Sequence, residues 1–79
     1  MLEKVIKYFD KEYKELKQWF DNPLNPLGKE TKRMAVNNAV ARCLGVAMFV
    51  QDCGVTYDEV AIYFEKVKIK LLKLLESEE

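Results

Sequence analysis

The sequence predicts an all-α fold: an antiparallel three-helix bundle that occupies residues 1–79 as a single domain. Apolar residues recur at helical spacing in three stretches, and short breaks containing Pro or Gly separate them. The chain has 79 residues, which is room for one domain. Its 49% hydrophobic and 33% charged residues, with three Gly and two Pro, are typical of a folded, helix-rich chain. Three amphipathic helices with short connections pack most simply as an antiparallel bundle.

The first helix is predicted over residues 2–20. Its apolar residues follow one another at steps of three and four, which places them on one stripe of a helix: Leu2, Val5, Ile6, Phe9, Tyr13, Leu16 and Phe20. The opposite side carries a row of lysines, and Asp10 and Lys14 have the spacing of a favourable ion pair. We therefore expect a surface helix with one buried side.

The second helix is predicted over residues 29–53. A break over residues 22–28 precedes it, because the two prolines and the glycine of this segment do not fit inside a helix. Gly54 ends the helix, since glycine adopts the left-handed conformation without strain. The main apolar stripe is predicted to consist of Val36, Val40, Cys43, Leu44, Ala47 and Val50.

The third helix is predicted over residues 57–76. Thr56 and Glu59 have the spacing of a capping box, and Val55 and Val60 occupy the positions of a hydrophobic staple. Both motifs place the first helical residue at Tyr57. The buried stripe is predicted to consist of Val60, Tyr63, Phe64, Val67, Leu71, Leu74 and Leu75.

The residue types argue against an enzyme and against a metal or cofactor site. Lys and Arg number 13, Asp and Glu number 13, and there is no His. The commonest general base and a common zinc ligand are therefore absent. The only serine is Ser77, and no glycine-rich phosphate loop is present. We predict that the chain is not an enzyme and has no catalytic residue, metal or cofactor.

The cysteines and the apolar runs bear on the compartment. Cys43 and Cys53 lie ten residues apart in the predicted second helix, about 15 Å along its axis, too far for a disulfide. We interpret both as buried free thiols, which favours a reducing compartment and hence the cytoplasm. No signal-peptide core follows the first residues. The longest apolar run, 43–50, is short of the roughly 20 residues that span a bilayer, so no membrane contact is expected. The length of the chain and its helical pattern are typical of short helical proteins from bacteria.

The second helix is apolar on more than one side. Opposite its main stripe lie Met34, Asn38, Ala41, Arg42, Gly45, Met48, Phe49 and Asp52. One interpretation is that this helix is central in the bundle and that its two neighbours cover both sides. The other is a partner-binding surface, since Arg, Met and Phe are enriched at interfaces; its residues are Asn38, Arg42, Gly45, Met48 and Phe49. The sequence leaves both interpretations open.

The third helix also has apolar residues away from its buried stripe. Ile62 and Ile69 lie seven residues apart, with Leu72 nearby. Heptad spacing is found in helices that pair with another chain, although isolated apolar residues are ordinary on protein surfaces. We interpret these three as ordinary surface residues.

A helix-turn-helix unit is the alternative interpretation. The turn and apolar positions around Gly54 resemble those that join the two helices of that DNA-binding unit. A recognition helix needs Arg, Lys, Asn or Gln at its exposed early positions, whereas this one has Tyr57, Asp58, Ala61, Ile62 and Glu65. Lysines form two rows, which alternate with or flank acidic residues, and we expect both rows to be solvated faces. The rows are Lys4, Lys7, Lys11 and Lys14 on the first helix and Lys66, Lys70 and Lys73 on the third.

The leading hypothesis is a small cytoplasmic protein–protein interaction module that self-associates as a homodimer or binds another protein. Its proposed contact surface is the second apolar side of the second helix. The alternative is a small helix-turn-helix-like nucleic-acid-binding regulator, for which the neutral overall charge is unfavourable. A third hypothesis places a ligand pocket between helices near Trp19, Asn38 and Arg42.

Overall fold

The computed structural model describes residues 2–22 and 28–76, apart from the side chain of Lys29. Three helices occupy this part of the chain: α1 over Leu2–Asp21, α2 over Lys29–Asp52 and α3 over Tyr57–Glu76. All three pack against one another, which confirms the predicted three-helix bundle. No helix among residues 2–22 and 28–76 is both long enough and apolar enough to cross a membrane.

The helix boundaries agree with the prediction to within one residue. α1 extends to Asp21, one residue beyond the predicted end, and α2 ends at Asp52, with Cys53 as its C-cap. α3 has the predicted bounds, and its first intrahelical hydrogen bond runs from the Val60 amide to the Thr56 carbonyl, at 3.3 Å. Most of the predicted break before α2, residues 23–27, lies outside the described residues.

The end of α2 is a Schellman motif, which explains why a glycine follows this helix. Gly54 has a φ of +101°, in the region that favours glycine. Its amide donates to the Gln51 carbonyl and the Val55 amide donates to the Val50 carbonyl, both at 3.1 Å. Val55 then packs against the core, so the same turn that ends α2 starts the chain towards α3.

One hydrophobic core runs between the three helices. α1 and α3 bury most of the predicted stripes, while Leu2, Ile6, Tyr13, Tyr63 and Leu75 are only partly buried. The rings of Phe9 and Phe64 meet edge to face with their centroids 6.4 Å apart. The α2 stripe needs one correction, because Leu44 is 41% exposed while Ala39, outside the predicted stripe, is fully buried. The buried side of α2 lies between its neighbours and is centred on Val36 and Cys43, so a residue at its edge is only partly covered.

Candidate interaction surface on the second helix

The second apolar side of α2 is exposed to solvent. We call it the outer face; all of its members are exposed, and they are Met34, Asn38, Ala41, Arg42, Gly45, Met48, Phe49 and Asp52. Met48 is 59% and Phe49 64% exposed. The interpretation that the neighbouring helices cover this side is therefore wrong. In a triangle of helices both neighbours lie on the same side of α2, in directions about 60° apart, so the opposite side faces water.

The five residues predicted to bind a partner all lie on the outer face. Gly45 is at its centre, Asn38 lies two turns before it, and Met48 and Phe49 lie one turn after it. Exposed large apolar residues that stand alone are common on proteins, so the adjacent pair Met48 and Phe49 is the part of this face that suggests an interaction site. The structure thus brings together the residues of the predicted surface.

No contact among the described residues explains the glycine at position 45. A glycine in the middle of a helix costs about 1 kcal/mol of stability relative to alanine. A Cβ added at Gly45 would meet no heavy atom within 4 Å, so no neighbouring element requires the missing side chain. Small residues on a helix surface let a second backbone approach closely, and Ala41 lies one turn away on the same face. The centre of the outer face therefore has only the small residues Ala41 and Gly45, and larger side chains such as Asn38 and Met48 lie before and after them.

Arg42 is held by an ion pair within the chain, at the edge of the outer face next to α1. Its Nε donates to both carboxylate oxygens of Glu12, at 3.1 and 3.2 Å, and its second guanidinium nitrogen donates to Glu12 Oε2 at 2.8 Å. The Glu12 side chain is 13% exposed and that of Arg42 is 53% exposed. Arg42 is therefore on the surface, but its charge is already neutralised.

The same carboxylate also binds Tyr8, and the ion pair changes the acidity of its members. Hydrogen bonds from Arg42 lower the pKa of Glu12, against the opposing effect of burial, and the bond from Tyr8 lowers it further. Burial and the hydrogen bond to Glu12 raise the pKa of Tyr8. Sequence reasoning missed Glu12, because it lies 30 residues from Arg42 and no local pattern joins the two.

An open groove between α1 and α2 brings together the residues of the third hypothesis. Trp19, Asn38 and Arg42 line it, and its other lining residues are Glu12, Glu15, Leu16 and Ala35. Two carboxylates face one guanidinium, and that guanidinium is bound to one of them. The electrostatics of the groove therefore do not favour an anionic ligand.

The outward side of α3 has the character that the sequence predicted. Ile62, Ile69 and Leu72 are exposed by 58%, 51% and 39%. Tyr57 and Asp58 are exposed as well; they lie at the start of α3, which would be the recognition helix of a helix-turn-helix unit. An acidic and apolar surface of this kind lacks the donors that read base edges in a major groove.

Several lysines in the two predicted rows interact with other side chains. On α1, Lys14 pairs with Asp10 at 2.9 Å and Lys11 with Glu15 at 3.8 Å. In the α3 row, the Lys70 ammonium lies 5.4 Å from the centre of the Tyr13 ring, a cation–π contact with α1. Nearby acids therefore partly balance the α1 row, and one α3 lysine helps join two helices.

The two cysteines have different surroundings, which corrects the expectation that both are buried. Cys43 is fully buried, and this burial raises the pKa of its thiol to about 11. Cys53 is exposed at the end of α2, where the chain turns towards Gly54. A residue at a helix end is less buried because the chain turns away there and fewer neighbours pack against it. The helical pattern over residues 29–53 does not include this effect of the helix end.

No protein-family model, curated protein or solved structure matches this chain.

Proposed function

We propose that this chain is a protein–protein interaction module that self-associates through the outer face of α2. The observation that carries the proposal is the exposure of Met48 and Phe49 beside Gly45, where no described residue comes within 4 Å of an added Cβ. A module of this kind needs no catalytic residue, because its activity is the contact it forms.

The energetics favour covering this face. Full burial of a Phe or Met side chain contributes about 1.5–3 kcal/mol, and a symmetric dimer would bury two copies of each. This gain opposes the loss of translational and rotational freedom on association, which costs at least about 4 kcal/mol. Domains of this size also have little stability of their own, and oligomerisation is a common way to increase it.

The proposal includes the cytoplasm as the setting. An exposed free thiol such as Cys53 persists in a reducing compartment and is open to oxidation outside it.

Solution mass tests the proposal. Light scattering after size exclusion, over a hundredfold range of concentration, should show the mass rising from 9.3 kDa towards twice that value. Phe49→Ser should shift this rise to at least about tenfold higher concentration, because the variant loses the largest apolar contact of the face. Its helical content and its urea midpoint at low concentration should match those of the wild type.

Ile69→Ser is the matched control, since Ile69 is a half-exposed apolar residue on the outward side of a different helix. It should associate like the wild type. A wild-type mass of 9.3 kDa at every concentration, or equal association of the wild type and Phe49→Ser, would contradict the proposal.

A further inference from the structure

We infer that the outer face binds the outer face of a second copy, with the two α2 helices antiparallel and a twofold axis passing beside Gly45. This inference rests on the proposed function and specifies its partner and register.

The spacing of the outer face suits helix pairing. Its central row has alternating steps of three and four residues, a spacing found where two helices pair: Asn38, Ala41, Gly45, Met48 and Asp52. Arg42 and Phe49 flank this row and take part in the contact from its edge. In an antiparallel pair centred on Gly45, each residue shares a layer with the residue equally far from Gly45 in the opposite direction. The sequence therefore fixes every pairing once the centre is chosen.

Large residues then lie beside small ones. Phe49 shares a layer with the partner's Ala41, because each is four residues from Gly45. The Phe49 side chain is 64% exposed in the single chain, and the alanine leaves room for it. At the centre, Gly45 lies opposite the partner's Gly45, and the open space above each backbone lets the helices approach closely. A parallel pair would instead place Phe49 against its own copy.

The polar residues at the ends of the seam are also complementary. Asn38 and Asp52 lie seven residues on either side of Gly45, so the Asn38 amide of each chain is positioned to donate to the carboxylate of the partner's Asp52. A parallel pair would bring two Asp52 carboxylates together, and like charges repel. Both the charge and the shape of the face therefore favour the antiparallel arrangement.

The Glu12–Arg42 ion pair makes the face suitable for burial. Met48 shares a layer with the partner's Arg42, and a thioether packs readily along the aliphatic part of an arginine. The guanidinium is already bound to Glu12 of its own chain at 2.8 Å, so covering it leaves no cation without a partner. An unpaired arginine at this position would oppose the contact.

Site-directed cross-linking tests the register. In a Cys53→Ser background, Asn38→Cys and Asp52→Cys chains are made separately, mixed, allowed to exchange and oxidised. The native Cys43 is buried and stays protonated, so it does not interfere. We expect a disulfide between the two different chains, and at least tenfold less from either chain alone. In the antiparallel pair the two copies of residue 38 are about 21 Å apart along the helix axis.

A charge substitution on the outer face gives a second test, because it should strengthen an antiparallel dimer and weaken a parallel one. Asn38→Lys places a cation opposite the partner's Asp52 in the antiparallel pair, so the dimer should tighten by about threefold or more. In a parallel pair the new lysine would face its own copy and weaken the dimer. Because Asn38 is exposed, the folding of the single chain should not change.

The outcomes separate this inference from the proposed function. Disulfides within each cysteine variant alone, or weaker association of Asn38→Lys, would overturn the antiparallel register while self-association stands. A dimer without any cross-link would also overturn it, because another surface would then hold the two chains together. A chain that stays monomeric at every concentration would overturn both.

Discussion

Both sides of α2 carry apolar residues, but the two sides have opposite surroundings. The inner side, with Val36, Cys43 and Val50, is at most 3% exposed and packs between α1 and α3. The outer face, with Met48 and Phe49, is about 60% exposed at those two residues. The helical spacing of apolar residues therefore does not tell by itself which of them the rest of the chain covers.

The solvent side of α1 differs from the outer face of α2. Most of the apolar stripe of α1 is buried, and its other side carries ion pairs such as Lys14–Asp10 and Lys17–Asp21. Charged residues on the solvent side make further association unfavourable, because they would have to lose their hydration. α2 has few such residues around Gly45, and this difference identifies its outer face as the candidate contact surface.

The largest expected difference is in the reactivity of the two cysteines. Cys43 on the inner side should react with a thiol reagent about a thousandfold more slowly than the exposed Cys53, because it reacts only when the bundle opens. The burial that raises the pKa of Cys43 to about 11 also keeps the unreactive thiol form. A colorimetric disulfide reagent at pH 8 measures both rates, and Cys53→Ser identifies the fast one. Equal rates in the native protein would mean that the inner side opens freely.

Neighbouring residues on opposite sides of α2 allow a direct comparison of stability. Val50→Ser should lower the free energy of unfolding by about 3 kcal/mol, because it leaves a cavity and buries a hydroxyl. Phe49→Ser should change it by less than about 0.5 kcal/mol at a concentration where the chain is monomeric. Urea unfolding followed by circular dichroism gives both values. A large loss in Phe49→Ser under these conditions would show that its ring packs within the chain.

The turn that ends α2 should tolerate substitution less well than an exposed position normally does. Gly54→Ala should lower the free energy of unfolding by about 1–2 kcal/mol, because an alanine is strained at a φ of +101°. Gly45→Ala is the matched control on the same helix: with helical backbone and free space around its Cβ, it should stabilise the single chain by up to about 1 kcal/mol. A dimer centred on Gly45 would be weakened by the same change. If Gly54→Ala and Gly45→Ala had the same free energy of unfolding as monomers, backbone strain at position 54 would not explain the need for glycine there.

The smallest expected effect comes from the ion pair between the outer face and α1. Glu12→Gln should lower the free energy of unfolding by about 1 kcal/mol near pH 7, a modest value because Arg42 is half exposed. The pKa of Glu12 is lowered in the folded chain. Its contribution is therefore complete above the unfolded value of about 4.5 and is lost as the pH falls through the lower, folded value.

Unfolding free energies of the wild type and Glu12→Gln, measured from pH 7 to pH 3, check this sign. The difference between them should narrow below about pH 4.5. A difference that stays constant over this range would show that the charge of Glu12 is not what stabilises the contact with Arg42.

Local patterns account for the elements of the fold. Helical spacing located the three helices, and Gly54 and Thr56 marked the boundary between α2 and α3. These signals are readable because capping and turn geometry depend on residues close together in the chain. Leu44 and Ala39 were assigned wrongly, because the angular width of the buried side depends on where the neighbouring helices lie.

The candidate surface could be predicted only in part. The residues of the outer face share a side of one helix, so periodicity alone grouped Gly45, Met48 and Phe49. Their exposure is a different matter, since it depends on α1 and α3 both packing on the opposite side. The partner of Arg42 was also out of reach, because Glu12 comes close only when α1 folds against α2.

By itself, the sequence determined that this chain forms three helices, where they begin and end, and that α2 is apolar on two sides. Those properties follow from helical spacing, capping and turn signals, which depend on residues three to five positions apart in the sequence. Only the tertiary structure decided that the second apolar side of α2 is exposed, that Cys53 is exposed while Cys43 is not, and that Glu12 neutralises Arg42. These outcomes depend on contacts between residues far apart in sequence, and such contacts exist only once the helices have packed.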